Sequence, residues 1–122
     1  MTSNAPLKVG GIDHVVLHVA DLERSRRFYV DLLGFDVAHD LPGLLYVRCG
    51  TQTVGLVAHD GALHPGSELN HLALRLTAGD YDQTVAVLRG AGLEVTSRGD
   101  DRTIYFDDPD GHALQLLTPA EY

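Results

Sequence analysis

Residues 12–19 read IDHVVLHV and residues 69–76 read LNHLALRL. Both runs alternate as half-buried strands do, and both set a histidine at the third step, although histidine is neither a strong strand former nor an ordinary core residue. Outward from the first run, ADLERSRRFYVDLLG (20–34) predicts a helix. Asp21 suits its N-cap, Leu22, Phe28, Tyr29, Leu32 and Leu33 recur at helical spacing, and Gly34 suits the left-handed residue past its end. Short strands are expected at FDVAHD (35–40), LLYVRCG (44–50) and TVGLVAH (53–59), with turns at Pro42-Gly43 and Gly50-Thr51-Gln52. This unit is βαβββ.

The second run begins the same order again. GDYDQTVAVLRGAG (79–92) reads as a helix with Asp80 as cap and Gly92 as stop, and LEVTSR, TIYFDD and HALQLLT follow as strands. His71 lies 57 positions after His14, and at nearly the same offset Gly34-Phe35-Asp36-Val37 meets Gly92-Leu93-Glu94-Val95 with one residue inserted. A period of that length marks a duplication, and two strand-rich repeats with one helix each predict an α+β fold of packed modules. The expected organisation is a single domain over 1–122, with module one about 10–60, module two about 69–118, and DGALHPGSE (60–68) as linker.

Splitting the strands by parity separates two faces. One holds Val15, Leu17, Val19, Leu45, Val47, Cys49, Val54, Leu56, Ala58, Leu72, Leu74, Leu76, Ile104, Phe106, Leu114 and Leu116, all apolar, and should lie against the helices. The other carries His14, Val16, His18, Tyr46, Arg48, Thr53, Gly55, Val57, His71, Ala73, Arg75, Thr103, Tyr105, Ala113, Gln115 and Leu117. A solvated antiparallel face would account for a mixed set, but tyrosines, small residues and two repeat-related histidines suit a curved sheet around a cavity better. If the halves pack about a twofold-like axis, His14 and His71 face each other, which is a metal-site arrangement.

Composition narrows the partners. Nine Lys+Arg against 17 Asp+Glu give a net charge of −8, which opposes nucleic acid and anionic membranes. Cys49 is the only cysteine, so neither a disulfide framework nor a cysteine zinc knuckle is available. MTSNAPLKVGG lacks the apolar core of a signal peptide, and no apolar run approaches a membrane helix, so a cytoplasmic protein is expected. Nucleophile elbows, phosphate loops and dinucleotide fingerprints are missing from the sequence.

Taken together, DHVVLHVADLERSRRFYVDLLGFDV, NHLALRL and IYFDDPDGHALQLL resemble the vicinal oxygen chelate superfamily over about residues 10–118. That group includes glyoxalase I, fosfomycin-resistance thiol transferases, extradiol dioxygenases, methylmalonyl-CoA epimerase and bleomycin-resistance binding proteins. The resemblance implies two βαβββ modules in tandem forming a cupped mixed sheet with helices outside, and a homodimer. It also implies that His14 and His71 match first-strand metal ligands, while Gln115, four residues after the glycine of DPDG, stands where metal-binding members carry glutamate. A further ligand position in module one falls on Gly55. Losing both carboxylates leaves the full charge of a divalent ion (Fe, Mn, Ni or Zn) uncompensated, so affinity should fall although a glutamine oxygen still ligates.

Tyr105 falls on the strand adjoining Gln115 with the same facing, and the resemblance implies that a tyrosine there touches substrate or a metal-bound oxygen; a tyrosine packed only for its ring fits that position equally. His18, Tyr46, Arg48 and Arg75 are the remaining candidate substrate contacts, with Arg75 equally able to serve a structural ion pair. His39, His59 and His64 are expected in solvated turns, His112 follows DPDG, and Asp107-Asp108-Pro109-Asp110-Gly111 reads as hairpin chemistry. Extradiol cleavage is disfavoured because Gln52 and Thr96 occupy the acid-base positions, and phosphonate transfer because only Arg48 and Arg75 offer inward positive charge. Two uses stay open: a metalloenzyme acting on a small oxygen-bearing substrate, and a metal-free protein that sequesters a toxic compound or drug.

Overall fold

The computed structural model describes residues 5–8, 10, 12–97 and 103–118. The chain divides into two compact units, Met1–His59 and Asp60–Tyr122, parted where the expected linker begins.

In the first unit, β1 (His14–Val19) leads into α1 (Leu22–Arg26), a π-helical segment Arg27–Leu32, and then β2 (Asp36–Leu41), β3 (Leu44–Cys49) and β4 (Gln52–Ala58). The sheet order is β1-β4-β3-β2, with β1 parallel to β4 and the other pairs antiparallel. Asp21 caps α1 by accepting from the Arg24 amide, as the sequence predicts. The single expected helix is modified after one and a half turns. The amide of Leu33 donates to the Phe28 carbonyl, an i to i−5 bond that widens the coil. Widening narrows the angle between consecutive side chains, which lets the adjacent Phe28 and Tyr29 both turn inward. Tyr29 is fully buried, edge-on to Phe28 and Phe35. Gly34 ends the segment at φ 84°, a conformation its missing Cβ makes inexpensive.

The second unit contains β5 (Leu72–Arg75), α2 (Tyr81–Gly90), β6 (Thr103–Asp107) and β7 (Ala113–Leu117), in the sheet order β5-β7-β6. Asp80 and Gln83 form a reciprocal capping box on α2. LEVTSR departs from the expected βαβββ pattern. Thr96 joins Tyr105 in an isolated antiparallel bridge, and among the described residues the second half shows β6 and β7 as its later strands. Arg98 lies outside the described residues.

Both cores match the parity split. Leu17, Val19, Leu45, Val47, Val54 and Leu56 are buried in the first unit, and Ile104, Phe106, Leu114 and Leu116 in the second with Val85 and Leu88 of α2. Removing this area from water at about 25 cal/mol per Å² is what ties each sheet to its helix. Leu72, Leu74 and Leu76 are only half-buried, and Ala58 is exposed. Asp108 is buried and accepts from the amides of Asp110 and His112, which confirms the turn reading of DPDG. No helix among the described residues is long and apolar enough to cross a membrane.

Candidate metal centre

The face of the first sheet turned away from α1 is ordered in rows by the strand register. Asp36, Arg48, Thr53 and His14 form one row; His39, Tyr46, Gly55 and Val16 the next; Leu41, Leu44, Val57 and His18 the third. The middle row centres on Gly55. A Cβ built there would lie 2.8 Å from Cε1 of Tyr46 and 3.2 Å from Cγ2 of Val16, so the Tyr46 ring occupies the space a side chain at 55 would need. That ring is also edge-on to His14 at 5.9 Å and to His39 at 6.2 Å between centroids.

His39 is exposed, as expected, near the end of β2. Strict alternation from Asp36 would turn it away from Tyr46. A register shift between Val37 and His39 reverses the facing of the rest of β2, bringing His39 level with Tyr46 and sending Asp40 to the helix side, where it pairs with Arg26. His59 is a correction. It is half-buried just beyond β4 and stacks on His18, with centroids 4.5 Å apart and planes 2° from parallel. His18 therefore packs against another imidazole in the row farthest from His14. His64 is exposed, as expected.

The second sheet repeats the register of the central row and keeps its tyrosine. Ala73, Gln115 and Tyr105 are register partners across β5, β7 and β6, with Thr96 beyond Tyr105. They correspond to Val16, Gly55, Tyr46 and His39 of the first unit. His71 precedes β5 and stands edge-on to Tyr105 at 6.5 Å, as His14 does to Tyr46. Gln115 and Tyr105 are thus direct cross-strand neighbours on one face, with the His71 ring beside the phenol ring. Arg75 pairs in register with Leu117, and Leu117 with Thr103, one row further along that face.

Each imidazole is held from behind by the residue before it. His14 Nδ1 lies 2.9 Å from Asp13 Oδ2, and His71 Nδ1 lies 2.8 Å from Asn70 Oδ1. With Nδ1 donating, a neutral ring keeps its lone pair on Nε2, the form that binds a metal. Among the described residues no three His, Cys, Asp or Glu side chains gather into a group able to hold a metal ion. Each unit by itself offers neutral donors on this face: the Nε2 of His14 in the first, and the Nε2 of His71 with the amide oxygen of Gln115 in the second. This donor chemistry fits a divalent ion of intermediate softness, bound more weakly than with a carboxylate. Tyr46 over Gly55 leaves no room for a ligand side chain at position 55.

Residues 11–116 match the Glyoxalase/Bleomycin resistance protein/Dioxygenase superfamily. The chain is 28% identical over 122 residues to metallothiol transferase FosB of Staphylococcus haemolyticus (strain JCSC1435), covering 90% of this chain and 84% of that one. It is 28% identical over 110 residues to glutathione transferase FosA of Serratia marcescens, covering 86% and 78%. Among solved structures, the fosfomycin resistance protein FosX of Listeria monocytogenes, complexed with Mn(II) and sulfate, superposes with a TM-score of 0.76 at 19% identity, covering 91% of each chain. The chain belongs to the glyoxalase/bleomycin resistance/dioxygenase superfamily, the vicinal oxygen chelate group, and has its α+β fold of tandem modules.

Proposed function

We propose that the protein is a metalloenzyme acting on a small oxygen-bearing organic substrate, with His14, His71 and Gln115 supplying the donors to a divalent ion. The observation that carries this reading is the repeated half-site: an imidazole tethered at Nδ1, edge-on to a tyrosine, in both units. One relative named a metallothiol transferase, another named a glutathione transferase, and a structural neighbour complexed with Mn(II) support a metal and a small-molecule substrate.

When bound, the ion supplies Lewis acidity to substrate oxygens. The chain's own groups do the rest. Tyr105, level with Gln115, is placed to donate its phenolic proton to a substrate oxygen held beside the amide, or to accept one from it. Tyr46 closes the module-one position with an aromatic wall, and Arg48, in the row of His14, and Arg75, one row from Gln115, offer positive charge to an anionic substrate group. His18 contributes a ring to the wall of the first sheet through its stack on His59. The protein is proposed to work in the cytoplasm as a homodimer.

Metal analysis of protein purified without added ions or tag contact, repeated for His14→Ala and His71→Ala, tests the reading. Stoichiometric metal lost in both variants is expected. Metal missing from every preparation, including one dialysed against Mn(II), would overturn it.

One observation favours a second reading, a metal-free binder of a drug or toxic compound. The module-one ligand position is filled by Tyr46 packing rather than a donor, and the net charge of −8 suits a cationic guest. Ligand-induced stabilisation without metal would select it.

A further inference from the structure

We infer that Asp13 and Asn70 are positioning residues that lock His14 and His71 in the Nδ1–H tautomer, so that both rings present an unprotonated Nε2. The use of that nitrogen rests on the metal reading above; the lock itself does not.

A carboxylate oxygen can only accept. The 2.9 Å contact from His14 Nδ1 to Asp13 Oδ2 therefore requires a proton on Nδ1, and in a neutral imidazole the lone pair must then sit on Nε2. At the repeat-related position Asn70 offers Oδ1 to His71 Nδ1 at 2.8 Å, so an amide carbonyl makes the same bond in the second unit. A free histidine side chain favours the opposite tautomer, with the proton on Nε2. Both halves thus hold the less common form through the same backbone step.

Stability does not account for the recurrence. The Asp13 side chain is 97% exposed and that of His14 43% exposed, and contacts of this kind between solvated neighbours add little to folding. Asp and Asn are also poor strand residues, yet each immediately precedes a histidine at a strand entrance. What the two contacts share is their effect on the ring: orientation, and the position of its lone pair.

The test is imidazole nitrogen NMR on metal-free protein, at a pH where the rings are neutral, for the wild type, Asp13→Ala, Asp13→Asn and Asn70→Ala. The expected result is Nδ1–H at both rings in the wild type, loss at His14 alone in Asp13→Ala and at His71 alone in Asn70→Ala. Asp13→Asn should retain the wild-type signature, because an amide already does this work in the other half. Nε2–H rings in the wild type, or tautomers unmoved by removing their partners, would overturn the inference. A parallel Mn(II) titration separates it from the metal reading. Asp13→Ala should weaken Mn(II) binding about tenfold, the low end for removal of a ligand's hydrogen-bond partner. No Mn(II) uptake by a wild type with the expected tautomers would reject the metal and uphold the lock. Equal Mn(II) affinity in wild type and Asp13→Ala would show that the contact positions nothing.

Discussion

Among the described residues the first unit pairs four strands and the second three, yet their central rows correspond position for position, with only the tyrosine kept as a residue. Val16-Gly55-Tyr46-His39 in the first stands against Ala73-Gln115-Tyr105-Thr96 in the second. Duplication has kept the register, the tyrosine, and the tethered histidine. It has not kept a side-chain donor at the centre of the row, where Gly55 stands against Gln115. In the first half the tyrosine has settled into the room that a side chain at 55 would claim, so a glycine there follows from packing. A shared backbone therefore does not oblige both halves to share chemistry.

The largest expected effects come from the cores that carry this register. Leu56→Ala and Leu114→Ala each remove a fully buried side chain from the strand bearing Gly55 or Gln115 and should cost about 2–5 kcal/mol in urea unfolding. If only one of them lowers the midpoint, the two units do not depend on equivalent cores.

Next is the position where the halves part. Gly55→Ala should destabilise by about 1–3 kcal/mol through overpacking against Tyr46, whereas Gln115→Ala should cost less than about 1 kcal/mol. The Gly55→Ala penalty should shrink in a Tyr46→Ala background, a coupling that a thermodynamic cycle measures. An unchanged penalty would mean that the ring does not set the limit.

Gln115→Glu returns a carboxylate to the second half. Mn(II) affinity measured by calorimetry should rise about tenfold or more, roughly 1.4 kcal/mol. Unaltered affinity would remove position 115 from the donor set.

The helix caps also differ. Asp80 closes a full capping box, while Asp21 accepts one amide at 3.2 Å. Thermal unfolding should register about 1 kcal/mol for Asp80→Ala and about half that for Asp21→Ala. A reversed order would show that the reciprocal Gln83 contact contributes nothing.

The smallest effect belongs to Cys49, whose thiol burial pushes up. A thiol with a raised folded-state pKa stabilises the fold fully below the unfolded value of about 8.5 and loses that contribution as pH rises through the folded value. Alkylation at neutral pH should be slower than for a free thiol and accelerate above pH 8.5. A rate equal to that of free cysteine at pH 7 would contradict its burial.

Much of this was readable from residue order. The 57-residue period, the apolar parity, the Asp caps and glycine stops, and the shared facing of Tyr105 and Gln115 are local, because strand alternation and helix ends depend on neighbours in the chain. Two histidine contacts were not legible, each for its own tertiary reason. A bulge in β2 shifts facing without a sequence mark and brings His39 to Tyr46, and the stack of His59 on His18 needs β4 to lie beside β1. The Asp13-His14 and Asn70-His71 dipeptides were visible, but nothing in their spacing shows which ring nitrogen they hold.

By itself, the amino-acid order determined the duplicated α+β architecture, the core face, and which side chains share a sheet face, since period and parity survive any arrangement of the elements. Tertiary structure alone decided that Tyr46 fills the space over Gly55, that the helix after Asp21 widens to bury Tyr29, and that both imidazoles are tethered through Nδ1. Those facts depend on distances between atoms that only packing sets, and they separate a half with a side-chain donor at the centre of its row from one without.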